Sequence, residues 1–256
     1  MLNIEKIYKA QERIKDVAVN TPFSYAPYLS KVAEADVYLK KENLQVTGAF
    51  KIRGAYNKIA TLTQAQRDCG VVAASAGNHA QGVALSASKF GIKAVIIMPE
   101  STPLTKVNGV KSYGAEVILA GTNYDEAYAY ATEYGQKNSL TFVHPFEDEE
   151  VMAGQGTIAL EILESCKEVD AVIIPAGGGG LISGMALAFK AINPNIQVIG
   201  VGASGAPALK NSFEQKVAMD SKSVRTIADG IAVRDASKIT LAHILENVDT
   251  FISVDD

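Results

Sequence analysis

The chain has 256 residues, enough for one large domain or two modest ones with cores of their own. Hydrophobic residues make up 48% and charged residues 20%, a balance that excludes a disordered or fibrous chain and fits a soluble globular one. A net charge of −4 announces no basic surface for nucleic acid, and no apolar run reaches the length of a membrane span.

The opening "MLNIEKIYKAQERIKD" is amphipathic and mixed in charge, without the apolar stretch of a signal peptide. "VYLKKE" (37–42) then reads as a strand. Next comes "VTGAFKIRGAYNKI" (46–59), where Lys51 follows an aromatic in a run of small and apolar residues. On its own such a lysine is a solvated surface charge. Ala55, Ile59 and Leu62 give the stripe of a helix after it. "GVVAAS" (70–75), "KAVIIMP" (93–99) and "AEVILA" (115–120) read as strands, the first two apolar enough to be buried on both faces of a parallel sheet. Between them, Ala80, Val83, Ala84 and Ala87 mark another helix. Asn123 and Glu126 resemble a capping box that opens a helix closed by Gly135. "DAVIIPA" (170–176) and "IQVIGVGA" (196–203) are further strands, flanking a helix striped by Leu181, Met185 and Ala188. The last residues, "TFISVDD" (250–256), suggest a strand followed by the acidic start of a helix. Alternating strands and helices predict an α/β fold with helices on both faces of parallel sheets. There is no internal repeat and no low-complexity linker.

Cys69 and Cys166 stand apart and alone, so neither a disulfide framework nor a thiolate cage is expected, and the setting is reducing and cytoplasmic. His79, His144 and His243 form no metal-ligand spacing.

Ligands of such folds bind beyond the carboxyl ends of the strands, and two glycine-bearing segments lie there. "AGGGGLISG" (176–184) carries four consecutive glycines, Gly177 to Gly180, between a strand and a helix. Its exposed N–H groups and the helix start behind them suit a phosphate; a tight turn is the simpler alternative, but four glycines exceed what a turn needs. Neither a dinucleotide fingerprint nor a Walker motif fits, so one small phosphomonoester is favoured over a nucleotide. "SAGNHAQG" (75–82) places Ser75, Asn78 and His79 at a helix start, which suits a carboxylate. Taken alone, ordinary N-capping explains that loop as well. A phosphate cradle, a carboxylate site and a lysine in a low-polarity run are together the parts of a pyridoxal phosphate enzyme. Burial would lower the lysine pKa and free its amine for a Schiff base.

"GAFKIRGA" (48–55), "SAGNHAQG", "GGGGL" (177–181) and "TIADGIAV" (226–233) resemble, in family order, the threonine dehydratases (threonine ammonia-lyases) of the fold-type II pyridoxal phosphate enzymes. The resemblance runs from about Val19 to the last residue. It implies a tryptophan synthase β-subunit-like fold, with a small α/β domain at 42–146 inserted into a large cofactor-binding domain made of 1–41 and 147–256. It implies Lys51 as the Schiff-base lysine, Phe50 beside the cofactor, Asn78 on the ring hydroxyl, and Gly177, Gly178, Gly179, Gly180 and Leu181 around the phosphate. The loop of Ser75, Ala76, Asn78 and His79 would take the substrate carboxylate, with Asp229 and Gly230 near the substrate mouth. The implied reaction is β-elimination from threonine to 2-oxobutanoate, and from serine to pyruvate, with release of ammonia. That chemistry belongs to isoleucine biosynthesis or threonine catabolism, in a cytoplasmic enzyme expected to be a homo-oligomer.

Three positions depart from relatives. Ala76 stands where serine racemases carry a serine that protonates the opposite face, which favours elimination. Gly202 and Ala208 replace the acidic residues of metal-binding relatives, so no metal is expected. Family members continue past "FISVDD" with helices and a residue facing the pyridine nitrogen; the large domain is therefore expected to be C-terminally incomplete. The alternatives are a serine racemase-like enzyme, a β-replacement enzyme or a non-catalytic truncated remnant. β-Replacement chains usually show Lys-Asp-Arg and Asn-Thr where this one has Lys51-Ile52-Arg53 and Asn78-His79.

Overall fold

The computed structural model describes residues 1–256. Helix α1 (Ile4–Ile14) starts where Asn3 accepts the Lys6 N–H, and it buries Ile7, Ala10 and Ile14, one stripe at helical spacing. Strand β1 (Phe23–Tyr25), helix α2 (Pro27–Ala33) and strand β2 (Tyr38–Lys40) follow, with a 3-10 turn at Glu42–Leu44. The strand expected at 37–42 is present as β2, outside the two parallel sheets. β2 pairs antiparallel with β1 alone, Phe23 opposite Lys40, because its alternating Tyr38 and Lys40 suit an exposed ribbon rather than a sheet interior.

The next segment builds a four-stranded parallel sheet. Its elements are α3 (Lys51–Ala60), α4 (Gln64–Cys69), β3 (Val71–Ala74), α5 (Asn78–Lys89), β4 (Ala94–Met98), α6 (Leu104–Lys111), β5 (Glu116–Leu119), α7 (Tyr124–Lys137) and β6 (Thr141–Phe142). The strand order is β5-β4-β3-β6, with Ala73 opposite Ile96. Every residue of β3 and β4 is buried, and alternate residues enter different cores. Val71, Ala73, Ile96 and Met98 pack with Ala80, Val83 and Ala84 of α5, whereas Val72, Ala74, Val95 and Ile97 pack with Ala127 and Ala131 of α7. That period of two is why both strands are apolar throughout. Asn123 caps α7 as expected, but Glu126 turns to the Thr122 N–H and hydroxyl instead of completing the box. Gly135 lies within α7, not at its end; its lack of a side chain lets the helix approach Val72, which a Cβ would meet at 2.8 Å.

Helix α8 (Glu149–Ser165) leads to the second sheet, formed by β7 (Ala171–Pro175), β8 (Gln197–Ala203) and β9 (Thr250–Val254) in that order, all parallel. Helices α9 (Gly180–Ile192), α10 (Ala208–Gln215) and α11 (Lys238–Asn247) complete the chain. Helix α8 is buried on nearly all sides from Val151 to Ile162, so it carries no polar face and no helical stripe. It crosses α9 closely enough that a Cβ on Gly184 would stand 2.0 Å from the Met152 carbonyl oxygen. Unlike β3 and β4, β7 is covered on one face only. Ala171, Ile173 and Pro175 are exposed, since α8 and α9 cover only the other side of this sheet.

Candidate active site

Lys51 is the first residue of α3, and Phe50 before it offers no side-chain cap. The Lys51 Nζ donates to the Pro145 carbonyl at 2.9 Å and lies 5.4 Å from the centre of the Phe50 ring. Burial lowers its pKa to about 8, because a desolvated ammonium loses its hydration without a carboxylate to replace it.

Helix α5 packs directly behind, its Gly82 so close that a Cβ would lie 3.1 Å from the Lys51 carbonyl oxygen. The capping explanation of "SAGNH" fails here. The N-cap is Gly77, without a side-chain bond, and the Ser75 hydroxyl accepts the Gly77 N–H instead. The first N–H groups of α5 are therefore left to a ligand or solvent. Asn78 begins that helix with its amide free of protein partners. His79 turns inward. Its Nε2–H donates to the Val143 carbonyl at 2.8 Å, leaving Nδ1 buried and without a partner. Burial, reinforced by Lys51, lowers its pKa to about 3. What His79 offers a carboxylate is its backbone, not its ring.

Helix α9 opens in the same way. Its N-cap is Gly179, at φ 88 and with no side-chain cap, a left-handed conformation that glycine accepts without strain. The Thr240 hydroxyl donates to the Gly178 carbonyl at 2.9 Å and so holds that carbonyl away from the helix start. A Cβ on Gly178 would meet the Phe146 ring at 2.3 Å. Helices α1, α4, α7, α8 and α11 are all capped by side chains. The three that open at this site are not, as α2, α6 and α10 also are not, and N–H groups left free at a helix start favour anions.

One segment joins these parts, and nothing in the sequence reading singled it out. Residues 143–147, "VHPFE", supply the Val143 carbonyl to His79, the Pro145 carbonyl to Lys51 and the Phe146 ring to the glycine loop. His144 accepts the N–H groups of Phe146 (3.2 Å) and Glu147 (2.8 Å) on Nδ1. The signal available was a lone histidine before Pro-Phe, between a strand and a helix. Asp229 and Gly230 lie in the 3-10 turn Asp229–Ile231, whose Ile231 backbone abuts Gly177. Asp229 is exposed and stands 3.6 Å from Lys106 Nζ. Arg53 was also missed. Fully buried two residues after Lys51, it binds Glu42 and Glu161 through paired bonds of 2.6 to 2.9 Å, and Lys40 also reaches Glu161.

A lysine amine of lowered pKa, an uncapped glycine loop and an uncapped helix start suit a phosphorylated aldehyde. The description "Pyridoxal-phosphate dependent enzyme" belongs to the family profile that matches residues 14–256. The chain is a member of that family. Among curated relatives, the L-threonine ammonia-lyase of Thermotoga maritima is 48% identical over the whole chain, and a catabolic L-threonine dehydratase of Staphylococcus aureus is 46% identical. The chain spans 64% of the first relative's length and 74% of the second's. The processed form of threonine deaminase isoform 2 from Solanum lycopersicum superposes with a TM-score of 0.95 at 40% identity, covering 98% of this chain and 70% of that one. Maize serine racemase superposes with a TM-score of 0.96 at 37% identity, covering 100% and 77%. As a member of this family, the protein has the fold-type II architecture that the sequence motifs implied. No helix is long and apolar enough to cross a membrane.

Proposed function

We propose that the protein is an L-threonine ammonia-lyase that converts L-threonine to 2-oxobutanoate and ammonia, and L-serine to pyruvate and ammonia. The observation that carries this reading is the Lys51 amine, its pKa drawn down to about 8, set among three uncapped helix starts. Pyridoxal phosphate, when bound, supplies an aldehyde for the amine and a ring that takes up the electron pair left on Cα. Gly177, Gly178, Gly179 and Gly180, with Leu181 at the head of α9, would hold the phosphate through backbone N–H groups. Phe50 would flank the ring, and the free amide of Asn78 would meet its hydroxyl. Ser75 and the backbone of Asn78 and His79 would hold the substrate carboxylate at the start of α5. That anchoring would turn the Cα–H toward Lys51, whose neutral amine would take the proton. Asp229 and Gly230 would border the substrate mouth.

The likeness to maize serine racemase favours racemisation as a second reading. Ala76 argues against it, because a methyl group has no proton to deliver to the far face of Cα. Two separate parallel sheets support a small inserted domain at 42–146 within a large one made of 1–41 and 147–256. The exposed free thiol of Cys69 supports a reducing, cytoplasmic setting. Apolar Ile173 and Ile252, exposed on the outer face of the three-stranded sheet, support self-association.

The test is direct. Protein supplied with pyridoxal phosphate and L-threonine should accumulate 2-oxobutanoate and ammonia in equal amounts, measured by chromatography of the derivatised oxo acid. Absence of oxo acid from both threonine and serine would refute the reading.

A further inference from the structure

We infer that His144 is a positioning residue that acts on Lys51 through the Pro145 carbonyl. The inference rests on the reading of Lys51 given above and adds a residue that none of the sequence motifs contains.

The geometry is a closed loop. Nδ1 of His144 accepts two backbone N–H groups, from Phe146 at 3.2 Å and Glu147 at 2.8 Å, so it must carry the lone pair. The ring proton then sits on Nε2, 3.3 Å from the Glu147 carboxylate. Residues 144–147 are thereby wound around one imidazole. The ring is held from outside as well, edge-on to Phe146 at 4.7 Å and to Tyr128 of α7 at 5.8 Å. Two groups point away from the closed loop. The Pro145 carbonyl accepts from Lys51 Nζ, and the Phe146 ring lies against Gly178. A single side chain thus fixes what faces the amine and what backs the glycine loop.

The winding needs a neutral ring, since a protonated Nδ1 would face two donors. Burial keeps it neutral down to about pH 4, opposed by Glu147 and Asp148 on its own segment and reinforced by Lys51 at the start of α3. His79 of α5 and Tyr128 of α7 are the remaining titratable neighbours. Throughout the neutral range the acceptor is in place.

The test reads Lys51 itself, in protein free of cofactor. Lysine labelled with carbon-13 at Cε gives a titration for each side chain, and the Lys51 signal is the one lost in Lys51→Met. In the wild type its midpoint should lie near 8. His144→Phe keeps a ring but removes the acceptor; the loop should open, water should reach Nζ, and the midpoint should rise by about one unit or more. His144→Asn restores an oxygen that can accept an N–H two residues on, and should bring the midpoint back to within about 0.3 units of the wild type. An unchanged midpoint in His144→Phe, or an equal displacement in both variants, would overturn the inference. A measurement that needs no variant guards against misfolding. The Phe146 and Glu147 amides of the wild type should be protected from hydrogen exchange, and exchange at the rate of an open loop would also overturn it. The reading of Lys51 fails separately. If borohydride fixed the cofactor to another lysine, the Lys51 midpoint would still follow residue 144.

Discussion

Arg53 and Glu161 are joined by two parallel bonds, Nη1 to Oε1 at 2.6 Å and Nη2 to Oε2 at 2.8 Å, across the buried contact between α3 and α8. Glu42 takes the other edge of the same guanidinium at 2.8 and 2.9 Å. The helix that begins with Lys51 is thus pinned two residues downstream by a charge that has no access to water. Removing Arg53 leaves Glu161 with Lys40 alone and Glu42 with only the Thr21 hydroxyl and the Gln45 amide, an under-compensated charge at an internal contact. Arg53→Met should lower unfolding free energy by about 3 to 5 kcal/mol, seen as a reduced urea midpoint. A midpoint within experimental scatter of the wild type would show that the cluster is dispensable.

Lys51→Ala should abolish turnover and the visible absorbance of lysine-bound cofactor, while leaving the urea midpoint little changed. Borohydride reduction and peptide mapping should put the cofactor on Lys51; recovery on Lys41 or Lys58 would contradict the assignment. The lowered pKa also sets a rate. Cofactor uptake should become half-maximal near pH 8, whereas an exposed lysine would still be gaining reactivity near 10.

Glycines at two places separate cofactor binding from folding. Gly178→Asp would push into the Phe146 ring and set a carboxylate against the phosphate, so cofactor affinity should fall by about tenfold or more. Gly184→Ala meets the Met152 carbonyl at the α8–α9 crossing and should destabilise the fold by about 1 to 3 kcal/mol. Fluorescence titration with pyridoxal phosphate and urea unfolding on both variants would check the contrast. Equal losses in both assays for both variants would count against it.

Two neutral histidines give the protein an acid limit. His79 and His144 have folded pKa values lowered to about 3 and about 4, against 6.5 when unfolded. Between those limits the unfolded chain binds more protons, so stability is present above pH 6.5 and is lost as pH falls toward 4 and then 3. At full effect that is on the order of 3 kcal/mol for His144 and on the order of 5 kcal/mol for His79. Thermal unfolding followed from pH 7 to pH 4 should show Tm falling, with a shallower slope in His144→Phe. Parallel slopes would show that His144 charges without cost.

Reaction choice turns on position 76. With L-serine the protein should release pyruvate and almost no D-serine, and Ala76→Ser should raise the D-serine fraction several-fold by placing a hydroxyl on the far face. Chiral chromatography of both mixtures decides it. Wild-type D-serine in amounts comparable to pyruvate would remove the case for elimination.

Much of the architecture was legible in the sequence because it is written in local patterns. β3 and β4 announce themselves as unbroken apolar runs, since both faces of that sheet are covered. β2 and β7 were harder: an apolar or β-branched run says that a strand forms, but not whether a helix or water lies over it. The lysine and the glycine loop were legible for another reason, that only particular residue types can supply a reactive amine or a close N–H cradle. Tertiary structure alone decided how they meet. Lys51 reaches the Pro145 carbonyl across 94 positions, and Arg53 reaches Glu161 across 108. Such pairs carry no periodicity, because a hydrogen bond depends on distance in space and not on spacing along the chain. The capping of "SAGNH" was decided in the same way: Ser75 and Asn78 are both suitable caps, and the path of the chain through Gly77 left the start of α5 bare.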